Sequence, residues 1–468
     1  MMPQTLTIVR SIPWIDPVEA AGRLRGKGGL CFLDSAMFHD RLGRYSYVAA
    51  DPYGVLKVSG GEVSWNGAAI DEAPLDAVSR RLGLFGQPII EGLPPFQGGA
   101  IGYLSYEFGG LLEQLPAART PRQGAMPQAE LLFFDALCAF DHLEKRAWIV
   151  STGLPEADGA RRQARAVERA EEIERALRAT PVPEGELPAI EREAWRSTFT
   201  RESYACAVGE AIEAILAGDI YQANISQRFT ATLPEGFDAW AFYKRLRQIN
   251  AAPFSAFIDR GDMAIASSSP ERFLRVSGEE VETRPIKGTA PRASDPSEDE
   301  AHATALRRSE KDRAENLMIV DLLRNDLSRV CLPGTVMTPE LCALETYAGV
   351  HHLVSVVTGR LQPGFGVADL MGAAFPGGSI TGAPKIRAME IISDIEQEQR
   401  GIYCGAIGYF GFNGESDTNI AIRTVLFQDG QASFQAGGGV TALSDPELEY
   451  QETLNKAERI FRAFEAPS

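Results

Sequence analysis

A stretch near the middle of the chain does most to constrain its fold. From Pro155 to Ala179 the sequence is rich in Ala, Arg and Glu at helical spacing, and Pro181-Val-Pro-Glu-Gly-Glu-Leu-Pro188 follows directly. Proline fixes φ and removes a backbone donor, so this second stretch cannot continue a helix. The pair predicts a solvent-exposed helix and then an extended linker. It divides the 468 residues into an N-terminal region (1–152), a helical and Pro-rich segment (153–197) and a longer C-terminal region (198–468). The length allows a large core and, at about 150 residues per domain, roughly three domains or two larger ones. The N-terminal region mixes short strand-like runs with Gly and Pro turns, and neither region contains a repeat.

Composition excludes several function classes. Hydrophobic content of 44% and charged content of 23% are those of a globular chain. Met1 to Pro13 holds no apolar stretch of signal-peptide length, and Asp135 interrupts the apolar 131–140 segment, so no membrane span is expected. The chain reads as cytoplasmic. A net charge of −17 argues against nucleic acid, which requires clustered Lys and Arg. It leaves room for an anionic small molecule, which responds to local charge. Six scattered cysteines without a CxxC pair support neither a disulfide framework nor a thiolate metal site. Five histidines without HExxH argue equally against a zinc hydrolase.

Several elements follow from periodicity. Asn419 to Phe427, Asp429-Gly430 and Gln431 to Ala436 read as a β-hairpin, with Ile420 and Ile422 on one face and Arg423 on the other. A helix is expected over about Ser309 to Leu327. The last helix has an apolar stripe of Leu454, Ala457, Phe461 and Phe464, with Ser444 and Glu447 as a capping box and Pro446 in its first turn.

Three constellations carry possible chemistry. In the first, a hairpin turning near Ser277-Gly278 sets Glu271 opposite Arg284, with Lys287 on the order of 10 Å further along. Spacing alone favours a surface ion pair here. In the second, Asp312 with Glu315 and Glu449 with Glu452 are i,i+3 pairs on two helices. Carboxylates converging from two segments suit Mg²⁺, although most acidic residues are simply solvated helix faces. In the third, Phe375-Pro-Gly-Gly-Ser-Ile-Thr-Gly-Ala-Pro-Lys385 and Ala436-Gly-Gly-Gly439 let backbone N–H groups approach an anion. Ala383-Pro384 follows Gly382, so the first of these is not a P-loop.

The wording of these segments is more specific than their spacing. Ser269-Pro-Glu-Arg-Phe273, Pro285-Ile-Lys-Gly-Thr289, Lys311-Asp-Arg-Ala-Glu-Asn316, Val350-His-His-Leu-Val-Ser355, Gly377 to Lys385 and Tyr450-Gln-Glu-Thr453 occur in one order. Together they resemble the chorismate-utilising enzymes: anthranilate and aminodeoxychorismate synthase components I, and isochorismate and salicylate synthases. The resemblance implies an α+β fold, with large antiparallel β-sheets packed face to face, helices outside and the site in the C-terminal half. It implies Mg²⁺ held by Glu315 and Glu452, with Asp312 and Glu449 less secure. Gly288, Thr289, Ser379, Tyr403, Arg423, Gly437, Gly438 and Gly439 would contact chorismate. Glu271 would be the acid/base group, and His352 would lie beside the departing hydroxyl.

Within that family Lys287 points to amination at C4 without pyruvate loss, as in aminodeoxychorismate synthases. Anthranilate synthases typically have alanine there, and isochorismate synthases a lysine where this chain has Gln222. The alternatives are therefore anthranilate synthase, isochorismate synthase and a non-catalytic, tryptophan-binding scaffold. An amine attacks only when neutral, so the role implied for Lys287 requires burial or a nearby cation. Ammonia would come from a separate glutamine amidotransferase subunit, because no segment resembles a fused glutaminase. Relatives also cradle tryptophan. The matching residues are Ser35, Gly43, Arg44, Tyr45, Pro253, Phe254 and Ser255, which serve equally to pack the two halves together.

Overall fold

A computed structural model describes residues 6–37, 42–113, 126–347 and 349–466. Two twelve-stranded antiparallel sheets form its centre. Each takes strands from both sides of the 153–197 segment. In the first sheet Leu30–Asp34 pairs with Phe254–Asp259, and in the second Gly99–Leu104 pairs with Ala406–Gly411.

Period-two alternation explains the layering, because both faces of the central strands are buried. In the strand Phe254–Asp259, Ala256 and Ile258 face a core shared with the second sheet, where they meet Ile101, Leu132 and Ile407. Phe257, between them, faces the opposite way into a core with the helices Ala239–Ile249 and Pro446–Phe464. The outer face of the second sheet packs against Glu310–Ser328 and Val367–Ala374. The result is sheet on sheet with helices outside, the α+β arrangement expected.

The helix read from Pro155 to Ala179 spans Gly159–Arg178. It is exposed along one side only, since Ala166, Ala170, Ile173 and Leu177 are buried. The helix expected from Ser309 spans Glu310–Ser328, with the Ser309 side chain accepting from the Asp312 N–H. In the last helix Ala457, Phe461 and Phe464 are buried as the stripe requires, and Leu454 is partly so. Its cap differs from the expected Ser444–Glu447 box. Asp445 accepts from the N–H groups of Glu447 and Leu448, and Ser444 donates to Glu449 instead.

Two strand readings need correction. Asn419 to Phe427 is not one strand: Ser416–Ile420 belongs to the second sheet and Thr424–Gln428 to the first, with Ala421 to Arg423 crossing between them. The Ile420 N–H is taken by the Glu271 carbonyl and the Arg423 carbonyl by Ser268, which ends both ladders. The turn at Asp429-Gly430 is as expected, with positive φ at both residues. In the other hairpin Arg284 faces Arg272, not Glu271, because Glu271 precedes the strand Arg272–Ser277 and a bulge follows Arg272. Among the described residues no helix is long and apolar enough to cross a membrane.

Candidate active site

The site forms where the chain steps from one sheet to the other. Ser269 ends a strand of the first sheet and Arg272 begins one of the second, which leaves Glu271 at the step. The 421–423 step runs beside it, held by a Ser269 hydroxyl that donates to the Ile420 carbonyl at 2.6 Å. Glu271 and Arg423 are thereby brought into electrostatic reach of each other. Glu271 is buried, and its Oε1 accepts the Ile286 N–H at 3.4 Å. Burial pushes the carboxyl up to about 7, opposed by the Ser379 hydroxyl and by the Lys287 charge.

Lys287 lies half-buried on the strand Ile286–Pro291. This strand pairs with Val350–Arg360, so Thr289 faces His352, and the Thr289 hydroxyl meets His352 Nδ1 at 2.8 Å. Burial pushes the imidazole down to about 3, with the Arg423 charge acting in the same sense, so His352 is neutral. Arg423 itself is brought down to about 10 by burial and by Arg459. Gly288 has φ +84 and an α-carbon facing Asp312, where a Cβ would approach to 3.0 Å. Tyr403 is buried against Asn224.

The triple glycine forms one wall. Gly437, Gly438 and Gly439 pair with Ser226, Ile225 and Asn224. Their need for glycine is spatial, because none has positive φ. A Cβ on Gly437 would lie 2.4 Å from the Ile225 carbonyl oxygen. On Gly438 it would meet Glu449 Oε2 at 2.9 Å and Glu452 Oε1 at 3.3 Å; on Gly439, Lys287 Nζ at 3.2 Å. One bare strand therefore borders both the amine and the acidic cluster.

That cluster joins the two helices as expected. Burial raises the Glu315 carboxyl, and Asp312 and Glu449 add to the rise. Glu449 is buried; its Oε1 accepts from Ser444 at 2.7 Å, and its Oε2 has no hydrogen-bond partner among the described residues. Glu452 lies 2.6 Å from Lys456 Nζ; burial raises the carboxyl, but the hydrogen bond and charge of Lys456 together with the charges of Lys287 and Lys311 leave it lowered. Among the described residues no three His, Cys, Asp or Glu side chains stand in a ready-made metal cage. The donor set nevertheless fits a hard divalent cation: oxygen ligands, mutual repulsion and one orphaned carboxylate oxygen.

Lys456 and Arg459 were not singled out by sequence. Glu449, Glu452, Lys456 and Arg459 fall at i, i+3, i+7 and i+10 of the last helix, and that charged stripe was the available signal. Lys385 has a structural task instead. It bonds Asp326 at 2.7 Å and the Ala374 carbonyl at 2.8 Å, tying the helices that carry them together.

A separate cavity of about 350 Å³ lies between the sheets. Ser35, Gly43, Arg44 and Tyr45 line it together with Pro253, Phe254 and Ser255 from the first sheet, and Ile407 and Asn419 line it from the second. Arg272, the neighbour of Glu271, also reaches it.

Comparison with known proteins accords with this layout. The profile of the chorismate binding enzyme family matches residues 34–462. Aminodeoxychorismate synthase component 1 of Salmonella typhimurium is 42% identical, over 90% of each chain. Anthranilate synthase component 1 of Streptomyces coelicolor is 38% identical, over 96% of this chain and 86% of the other. The crystal structure of anthranilate synthase component I from Streptococcus pneumoniae superposes with a TM-score of 0.80 at 32% identity, covering 91% of this chain and 94% of that one. The chain belongs to the chorismate binding enzyme family.

Proposed function

We propose that this chain is an aminodeoxychorismate synthase component 1, converting chorismate and ammonia to 4-amino-4-deoxychorismate, with Lys287 as nucleophile. The observation that carries the reading is the half-buried Lys287 amine beside Glu271, a buried carboxyl whose pKa near 7 suits an acid that must also act as a base. The neutral amine forms a bond to C2 as the C4–O bond breaks, and Glu271 protonates the departing hydroxyl to water. The Glu271 carboxylate then takes a proton from the attached nitrogen and returns it as ammonia forms a bond to C4 and the C2–Nζ bond breaks. Loss of one proton from the new ammonium group regenerates Glu271 and leaves Lys287 neutral, so the balance is chorismate plus ammonia to product plus water.

His352, kept neutral by burial and oriented by Thr289, accompanies the departing hydroxyl. Arg423 and Tyr403 bind a substrate carboxylate, aided by backbone N–H groups of Gly437 to Gly439 and by Gly288, Thr289 and Ser379. Glu315 and Glu452, with Glu449 beside them, would hold Mg²⁺, which when bound neutralises the cluster and a ring carboxylate. Ammonia comes from a separate glutamine amidotransferase subunit. The 350 Å³ cavity supports the reading that tryptophan binds as a ligand between the sheets.

Anthranilate synthase is the competing reading, favoured by the 38% identity to the Streptomyces coelicolor relative. Product analysis separates the two. With chorismate, Mg²⁺ and ammonium, the purified chain is expected to form 4-amino-4-deoxychorismate without pyruvate, and to use glutamine poorly. Anthranilate with stoichiometric pyruvate would establish the competitor instead.

A further inference from the structure

Gln222 has no part in the chemistry above, yet its setting is unusual. It opens the strand Gln222–Thr232 and pairs with Ala383. The residue is 0% exposed, and neither its Oε1 nor its Nε2 has a hydrogen-bond partner among the described residues. Buried amides are ordinarily bonded, and leaving both ends unmet is destabilising. Such local conflicts are kept where a site needs the group.

The amide has a definite neighbour. A Cβ on Gly439 would lie 2.3 Å from Gln222 Nε2 and 3.2 Å from Lys287 Nζ. The bare α-carbon of Gly439 thus leaves open a space that the amide and the amine border together. An amide without partners turns about its Cγ–Cδ bond to present either its donor or its acceptor to that space.

We propose that Gln222 is the positioning residue of the Lys287 amine, its amide oxygen accepting one Nζ hydrogen so that the nitrogen lone pair faces the substrate. The inference rests on Lys287 being the attacking amine. A primary amine rotates about Cε–Nζ, and only one staggered orientation aims its lone pair at the reacting carbon. Bonding one N–H selects that orientation before substrate arrives, and such pre-orientation lowers the barrier without tightening ground-state binding. A neutral amide does this without adding negative charge, which would hold the amine as ammonium.

The test compares the full-length chain with Gln222→Met and the smaller Gln222→Leu, using chorismate, Mg²⁺ and ammonium. Misorientation of a reacting group on this scale is expected to lower kcat by about 10- to 100-fold. KM for chorismate should stay within about twofold, the split expected when only transition-state interactions are lost. The fraction of chain carrying a Lys287 adduct, read by mass spectrometry after acid quench, should fall in parallel. Tm should hold or rise, because two unmet polar groups are gone. Unchanged kcat and adduct fraction in either folded variant would overturn the proposal. So would a fall in Tm with kcat and KM altered together, which marks a structural role. Lys287→Ala in the same assay separates the two layers: retained amination there removes the nucleophile reading, whereas a dead Lys287→Ala beside a normal Gln222→Met removes only the positioning role.

Discussion

Burial moves Glu271 and His352 in opposite directions for one reason: an enclosed, low-dielectric setting disfavours charge on either group. Glu271 rises to about 7 and His352 falls to about 3, so near pH 7 the imidazole is neutral and the carboxyl is about half protonated. The consequences for stability have opposite signs. Between pH 4.5 and 7 folded Glu271 keeps a proton that the unfolded chain has lost, so its contribution is complete below 4.5 and disappears as pH rises through 7. At 1.36 kcal/mol per unit the loss is on the order of 3 kcal/mol. Glu271→Gln stays neutral throughout, so its Tm advantage over the parent chain should widen by about 2–3 °C from pH 5 to pH 8. Parallel Tm profiles for the two proteins would contradict the raised carboxyl. His352 acts the other way, its contribution being lost as pH falls below about 6.5.

At the scale of elements, the glycine strand shows why space can matter more than φ. A methyl group on Gly438 would press on the Glu449 and Glu452 carboxylates, the ends of side chains that can move aside. Gly438→Ala is therefore expected to leave Tm nearly unchanged while weakening Mg²⁺ binding, measured calorimetrically, by about tenfold, a displacement worth 1.4 kcal/mol. Undiminished affinity would show that this strand does not shape the cation site. Local pattern made the Glu310–Ser328 helix, the last helix and the Asp429-Gly430 turn readable, because apolar spacing and turn chemistry act within a few residues, although the last helix is capped by Asp445 rather than by the expected Ser444. The break at Ala421 to Arg423 was not readable. Alternation continues through it, and the bonds that end the ladders come from Ser268 and Glu271, about 150 residues earlier. A bulge after Arg272 shifted the hairpin register, and the orphaned Gln222 depends on neighbours more than 150 residues away, at Ala383 and Gly439. Lys287, Glu271 and the two acid-bearing helices were legible through the wording of their segments, but their convergence on Gly437 to Gly439 required the fold.

Across the whole molecule, both sheets run through the N- and C-terminal regions, so the separate cavity between them and the site are built on the same two sheets. Arg272 lines that cavity and adjoins Glu271, and Asn419 lines it and precedes Ile420, whose N–H bonds the Glu271 carbonyl. Tryptophan is expected to bind there, with calorimetric heat and a rise in Tm, and Arg44→Ala should weaken it; an absence of both signals would leave the cavity as packing alone. The arrangement of sheets, steps and helices converges on one claim, that the Lys287 amine bonds to chorismate during turnover. Mass spectrometry of the chain quenched in acid while consuming chorismate with Mg²⁺ and ammonium tests it most directly. A substrate-derived adduct is expected on the peptide containing Lys287, absent from Lys287→Ala together with amination. Normal amination by Lys287→Ala would contradict it.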